Sequence, residues 1–227
     1  MIDVALRLPL ARLTRTPRGW APILAWVILA IASALVLRRS GMSGTGGALE
    51  IVFGQLALPF IAFAVVGAVL GRDGLARSTR AFVVFGASPA RVALATIGVA
   101  VAASALVAGV LGASIAALAH GASDPPIARD ALTTAWVAAL GGAAYAALFS
   151  AGASFGKRGG GRLAALVVDV VLGSGTGAAA LFVPRAHLRS LLGGDAVMGL
   201  PGRGSAGVLV VLGGLFVAVA VGRSRRA

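Results

Sequence analysis

The chain alternates between long apolar runs and short segments that carry its charged residues. A helix needs about 20 mostly apolar residues to cross a hydrocarbon core of about 30 Å, and each run is close to this length. The runs are apolar on all sides, without the period of two that membrane barrel strands show. The pattern predicts an all-α polytopic membrane protein with six transmembrane helices, at 20–37, 51–71, 92–119, about 132–154, 163–183 and 206–222.

Composition supports this class and excludes several others. Of the 227 residues 59% are hydrophobic and only 12% charged, and the mean hydropathy is +0.97. A soluble domain has about a quarter of its residues charged, so a soluble globular enzyme and a disordered chain are excluded. The absence of Cys excludes a disulfide scaffold. The predicted outer loops leave no room for a folded extracellular domain, so we expect residues 1–227 to form a single transmembrane domain. No clear repeat relates the two halves, which argues against an inverted-repeat secondary transporter.

The formal net charge is +13, yet the distribution of basic residues does not favour a nucleic-acid partner. Except for Lys157 they are all Arg, and they form short clusters between apolar runs, as membrane anchors do. Fourteen of them fall on the side that holds both termini and six on the other, which predicts cytosolic termini. The composition, rich in Arg and Ala, is typical of GC-rich bacterial genomes, so we expect a bacterial cytoplasmic (inner) membrane.

The N-terminal segment 1–19 combines apolar and basic residues at helical spacing. Arginines are interleaved with Ile2, Leu6, Leu10 and Leu13. This favours an amphipathic helix on the cytosolic membrane face, with Pro9 limiting its regular part. The alternative is a basic leader that only sets the topology.

The cytosolic segment 72–91, between the second and third spans, predicts a second amphipathic helix. Its sequence is RDGLARSTRAFVVFGASPAR, in which Arg77 and Arg80 lie apart from an apolar face. Gly86 tolerates a turn and Pro89 disfavours a helical Ser88, so the helix should end there. Such a helix is either a contact for a cytosolic partner or a surface helix without further role. The apolar face comprises Leu75, Phe82, Val83 and Phe85.

The outer segment 184–205 is too apolar for a plain solvent loop. We expect it to contain a short helix that lies in, or dips into, the outer membrane interface.

Polar residues inside the spans are candidates for a translocation path. Asp169 is the one acid placed within a span, about 10 Å from its cytosolic edge, where water or Arg162 can reach it. It is either part of a structural ion pair or cap, or a cavity-lining group. The other candidates, for which an interhelical hydrogen bond is the alternative, are Gln55, Tyr145 and Ser150.

The predicted fifth span contains three glycines in one five-residue stretch, namely Gly173, Gly175 and Gly177. Glycine weakens a helix, so this run is a candidate kink or hinge. Small residues elsewhere in the spans suit close helix contacts, and six spans make half of a path, so we expect a dimer.

These features together resemble the ABC type-2 permeases. The resemblance rests on six spans, a leading amphipathic helix, a short helix between spans two and three, and the segment GASPARVALA that follows it. It implies that 1–19 is the connecting helix, that 72–91 is the coupling helix and that 184–205 is the re-entrant element before the last span. It also implies a cytosolic ABC ATPase contacted through Asp73, Leu75, Arg77, Arg80, Phe82 and Phe85.

On this resemblance the chain carries no cofactor, because ATP and Mg²⁺ belong to the partner ATPase. The other partners are membrane lipid and a second copy of the chain or a homologous permease, and no nucleic acid. The stretch RAFVVFGASPARVALATIGV is also similar to the lipoprotein-release class of ABC permeases, which has a large extracytoplasmic domain that this chain lacks. GKRGGGRLAALVV is more weakly similar to the haem-exporter permease subunit of cytochrome c maturation.

The chain has no catalytic motif of its own. It contains neither a G-x-x-x-x-G-K-[ST] element nor an H-E-x-x-H element, and both histidines fall in predicted outer segments. We therefore expect a transport subunit of an ATP-driven exporter and not an enzyme. The alternative is a channel, a carrier or a scaffold subunit that works without ATP.

Overall fold

A computed structural model describes residues 2–15, 17–39, 48–71, 74–121, 125–156 and 159–225 of the chain. Helices and turns make up this part of the protein, and no strand occurs within it. The predicted all-α class is therefore confirmed. The physical reason is that apolar runs of this length can satisfy their backbone hydrogen bonds internally only as helices.

Nine α-helices follow one another along the described residues. Helix α3 continues without a break from a π-helical stretch, Ala48–Ala57, and 3₁₀ turns occupy Ala178–Phe182 and Val197–Gly199. The α-helices are α1 (Ile2–Arg15), α2 (Pro17–Arg39), α3 (Leu58–Leu70), α4 (Gly74–Val84), α5 (Pro89–Ala119), α6 (Ile127–Ala153), α7 (Gly161–Gly173), α8 (Pro184–Leu191) and α9 (Gly202–Ser224).

Within the described ranges, five helical stretches are long and apolar enough to cross a membrane. The second of them includes both α3 and α4, and the others coincide with α2, α5, α6 and α9. They are Gly19–Arg39, Leu49–Val84, Pro89–Ala119, Ile127–Ala153 and Gly202–Ser224. These stretches contain five of the six predicted spans.

The predicted fifth span, 163–183, is not one continuous helix. Helix α7 ends at Gly173, and its 13 residues extend about 20 Å, less than the core of a bilayer. Turns and a 3₁₀ segment lead from there to α8. Helix α7 ends where glycine recurs, because glycine loses more backbone entropy than other residues when it enters a helix and has no side chain to pack. The six-span count is thus not reproduced by long helices.

The centre of the fold is the antiparallel pair of α5 and α6, which approach closely through small residues. A Cβ on Gly142 would lie 2.7 Å from the Ser104 carbonyl oxygen, and one on Gly112 would lie 2.7 Å from Ala138 Cβ. Helix α6 also contacts α3, α7, α8 and α9. Because α6 touches nearly every other span, its inward-facing side chains are the ones that can join several helices.

Contacts between helix ends show which ends of the long helices lie together. At one end, Arg38 Nη1 donates to the Leu118 carbonyl, so the ends of α2 and α5 meet. At the other end, Arg223 Nε donates to the Ser154 carbonyl, and the Arg223 guanidinium lies 4.1 Å from the Phe155 ring centre. The α4 segment is at this second end, where Gly74 approaches Ala153 and Gly159.

The two amphipathic segments are both helical. Helix α4 ends where the sequence predicts, since Gly86 has φ +83° and Ser88 is extended before Pro89. Helix α1, by contrast, continues through Pro9 to Arg15, so the expectation of a short regular part was wrong. It packs against α3 and α5 with Pro9 and Leu13 buried, and this packing offsets the lost backbone hydrogen bond.

Candidate functional site

Asp169 lies on α7 and is completely buried, facing α6 and α8. Its Oδ2 accepts hydrogen bonds from Arg185 Nε at 3.0 Å and from the Tyr145 hydroxyl at 3.2 Å. Its Oδ1 accepts the backbone N–H of Arg185 at 3.1 Å. Both carboxylate oxygens are therefore occupied. We call Asp169, Arg185, Tyr145 and the Gln55 carbonyl the Asp169 cluster.

Arg185 is the cationic partner, and it joins three helical segments. It lies in the first turn of α8, where only 7% of it is exposed. Its Nη1 donates to the Gln55 carbonyl oxygen at 2.6 Å. Gly173 makes the approach feasible, since a Cβ there would lie 2.5 Å from Arg185 Cβ. A buried ion pair is tolerated when further hydrogen bonds satisfy both charges, as they do here.

The local sequence explains why the Gln55 carbonyl is available to Arg185. In an α-helix this carbonyl would accept from the N–H of residue 59, but residue 59 is Pro and has none. The backbone is π-helical from Ala48 to Ala57, just before Pro59. A π-helix within a span is rare and often marks a functional position. Here the guanidinium of Arg185 supplies the missing donor.

A second arginine of α8, one turn after Arg185, holds the end of α7. Arg189 Nη1 donates to the Ser174 carbonyl at 2.9 Å and Nη2 to the Gly175 carbonyl at 3.0 Å. These carbonyls follow the last turn of α7, where a cation is favoured by the helix dipole. Leu188, between the two arginines, is fully buried and fills the space left by Gly141 on α6.

This arrangement corrects two expectations. Arg162 does not reach Asp169: its guanidinium lies 5.6 Å from the Phe63 ring centre, beside Gly67. Arg185, which the topology count assigned to an outer loop, is instead buried against Asp169. The reason is that the chain turns after α7, so that residues 16 apart in sequence meet. His187 is likewise buried, with Nε2 3.1 Å from the Leu181 carbonyl oxygen.

The structure brings three of the four path candidates together. Tyr145 and Asp169 contact each other directly, and Gln55 takes part through its backbone. Ser150 is fully buried, but its hydroxyl has no hydrogen-bond partner among the described residues. The glycine run marks the end of α7: Gly173 is buried against Arg185, while Gly175 and Gly177 lie in the following turn.

The residues expected to contact an ATPase differ in exposure. Leu75 is buried, Phe82 is half-buried, and Arg77 and Arg80 are exposed. Phe85, in the turn after α4, is 83% exposed. Asp73 lies outside the described residues.

The chemistry of the Asp169 cluster is that of a compensated ion pair. Its one carboxylate is engaged by three donors, and the phenol of Tyr145 is fully buried. Nowhere in the described residues do three His, Cys, Asp or Glu side chains come close enough to hold a metal ion. The arrangement holds α6, α7, α8 and the π-helical stretch together at one point inside the bundle.

Sequence reasoning identified Asp169 but missed Arg185. A usable signal was present: a buried acid requires a cation, and Arg185 starts an apolar segment that is unsuited to a solvent loop. Pro59 was a second signal, because it predicts a free carbonyl on Gln55.

The sequence matches no known protein family and no curated protein.

Proposed function

We propose that the chain is the transmembrane permease subunit of an ATP-driven exporter of the ABC type. The observation that carries the proposal is α4, a short amphipathic helix at the end of the second membrane-length stretch, directly before α5. The side chains of Leu75, Ser78 and Thr79 are buried against the bundle, which fixes the helix in place. The opposite side and the following turn are open to contact.

The tip of α4 has the chemistry of a protein contact. Val84 is 74% exposed and Phe85 is 83% exposed. Both lie at the end of the bundle where Arg223 and Arg225 end α9, a position expected to be aqueous. A large aromatic side chain in water is costly and is typical of the centre of a protein interface. An apolar groove on a cytosolic ATPase would cover it.

Movement of α4 can be passed to the spans through rigid contacts. Its first residue, Gly74, fits so closely against Ala153 and Gly159 that a Cβ would approach both to about 3 Å. These residues end α6 and precede α7. A push on α4 would therefore reach α6 and, through it, the Asp169 cluster. On this proposal ATP and Mg²⁺ bind the partner, and two permease chains enclose the path.

The geometry of Asp169 does not favour the alternative of a proton-coupled carrier. A carrying carboxylate must bind and release a proton in each cycle. Asp169 would first have to leave Arg185 and Tyr145, which occupy both of its oxygens. A carboxylate held in this way suits a fixed structural element.

Co-purification from native membranes tests the proposal. Tagged chain should retain a protein with ATPase activity, and Phe85→Asp should remove that protein because it places a charge in the apolar contact. Phe155→Asp is the control, since Phe155 is exposed at the same end but outside α4. Retention of the ATPase by Phe85→Asp, or its absence from every sample, would contradict the proposal.

A further inference from the structure

The turn between α7 and α8 lies about halfway through the bundle. Leu188 of α8 meets the middle of α6, where a Cβ added to Gly141 would lie 2.7 Å from Leu188 Cδ1. Gly141 is about 21 Å from the first residue of α6 and about 18 Å from the last. Arg189, the next residue of α8, donates to the carbonyls of Ser174 and Gly175. The start of the turn is therefore within one arginine side chain of the middle of a membrane-length helix.

The backbone of this turn is exposed and incompletely hydrogen-bonded. Residues 174–179 are all exposed. The five consecutive N–H groups of residues 175–179 donate no hydrogen bond to another described residue. Unpaired N–H groups are costly in hydrocarbon, so irregular backbone at membrane depth is tolerated only where protein buries it or water reaches it. The described part of the chain does not bury this turn, so water or a second protein must contact it.

An exposed, irregular segment leads from the turn to the end of the bundle opposite α4. The Met198 N–H donates to the Thr176 carbonyl at 3.1 Å, so the chain after α8 returns alongside the turn. From there it continues to Gly202, the first residue of α9, whose last residue lies at the α4 end. Residues 193, 195, 196 and 198 of this segment are exposed. Water can therefore enter along it from the end opposite α4.

Charged side chains beside this segment favour water over a protein cover. Glu50, which is half-buried, packs its carboxylate against Gly194, and Asp195 is exposed. Neither acid forms an ion pair with another described residue. The cores of protein interfaces are depleted of charged residues, whereas a carboxylate without a counter-charge is stabilised by hydration.

We propose that a water-filled vestibule opens at the end of the bundle opposite α4 and reaches the turn 174–179, where the Asp169 cluster closes it. Backbone N–H groups and the carboxylates of Glu50 and Asp195 line it, so it admits water and small hydrophilic solutes. Beyond it Asp169 and Tyr145 are fully buried. The vestibule is formed by this chain alone, so it does not depend on whether an ATPase binds α4.

The test is the rate at which a charged, membrane-impermeant methanethiosulfonate reagent modifies single-cysteine variants of the full chain in cells. The chain has no cysteine, so each introduced thiol reports one position. Thr176→Cys should react, because a thiol in water forms the reactive thiolate. Ala178→Cys samples the same exposed turn and should also react, which guards against a folding defect in one variant.

Two controls define the lipid and the side of the membrane. Val171 is 65% exposed on the regular part of α7, so Val171→Cys should contact lipid and stay protonated. It should react at least about a hundredfold more slowly than Thr176→Cys. Arg225→Cys lies after α9 at the α4 end. Comparison of intact with permeabilised cells should show that Arg225→Cys and Thr176→Cys react from opposite sides of the membrane.

Three results would overturn the proposal. Modification of Thr176→Cys and Ala178→Cys as slow as that of Val171→Cys would show that water does not reach the turn. Reaction of Thr176→Cys from the same side as Arg225→Cys would mean that the opening lies at the α4 end. Oxidation of Thr176→Cys to a disulfide-linked dimer that the reagent does not modify would show that a second copy covers the turn.

Discussion

The α5–α6 pair and the α7–α8 segment are held together in opposite ways. The first consists of two long helices of 31 and 27 residues whose contacts are between small apolar groups. The second consists of two short helices of 13 and 8 residues, joined by the Asp169–Arg185 ion pair and by Arg189. One region depends on shape and the other on charge.

The difference follows from how each region satisfies its backbone. Long helices pair all of their internal carbonyls, so close packing is enough to join them. The α7–α8 segment and the π-helical stretch leave carbonyls open at Gln55, Ser174 and Gly175, and arginines from α8 fill them. A region with irregular backbone inside a membrane protein must bring its own donors. We therefore expect different kinds of substitution to destabilise the two regions.

The largest effect is expected from Asp169→Ala. It leaves the buried Arg185 guanidinium without its counter-charge, which costs about 3–5 kcal/mol when one partner of a buried pair is removed. The free energy of unfolding in mixed micelles measures this. The double variant Asp169→Leu with Arg185→Met should recover most of the loss, because no charge remains buried.

If the double variant were as unstable as Asp169→Ala, the charge would not be the cause of the loss. The local geometry of α7 would then need another explanation. An unchanged unfolding free energy in Asp169→Ala would contradict the charge-based account of this region altogether.

A smaller effect is expected from Gly142→Ala in the α5–α6 pair. The added Cβ would lie 2.7 Å from the Ser104 carbonyl oxygen and 2.8 Å from Ala108 Cβ, so the helices must separate. Overpacking of this kind costs about 1–3 kcal/mol. Gly98→Ala on α5 is the matched control, since nothing lies within 4 Å of its Cβ.

In the same unfolding assay Gly98→Ala should be neutral or stabilising by up to about 1 kcal/mol, through helix propensity. Equal destabilisation by both variants would mean that close packing at Gly142 is not what joins the two helices.

The smallest loss is expected from Tyr145→Phe. It removes one of the three donors to Asp169 and leaves the ion pair with Arg185 intact. An interhelical hydrogen bond in a membrane is worth about 1–2 kcal/mol at most. Combined with the Asp169→Leu, Arg185→Met pair, Tyr145→Phe should add little further loss. A full additive loss there would show that the phenol acts through other contacts.

The predictions from sequence succeeded where the signal was local and repeated. The long apolar runs predicted the all-α class and the approximate bounds of five stretches that are long and apolar enough to cross a membrane. Gly86 and Pro89 gave the end of α4 and the start of α5. Each of these features depends on neighbours within one turn or one run, which sequence patterns report directly.

The predictions from sequence were wrong where contacts between residues distant in the chain outweigh a local conformational preference. Pro9 should interrupt α1, yet packing against α3 and α5 keeps that helix continuous. The run 163–183 is apolar enough for a span, yet its glycines and the contacts of Arg185 and Arg189 divide it. The Asp169 cluster unites residues separated by up to 130 positions, and apolarity alone cannot indicate which of them meet.

The sequence by itself determined that this protein is a bundle of apolar helices, because hydrocarbon leaves a chain of this composition no other way to pair its backbone. Only the tertiary structure decided that α7 stops short and that Arg185 turns inward to Asp169 and the Gln55 carbonyl. A buried charge takes whichever partner the fold brings within about 3 Å, and that distance is set by packing across the whole bundle.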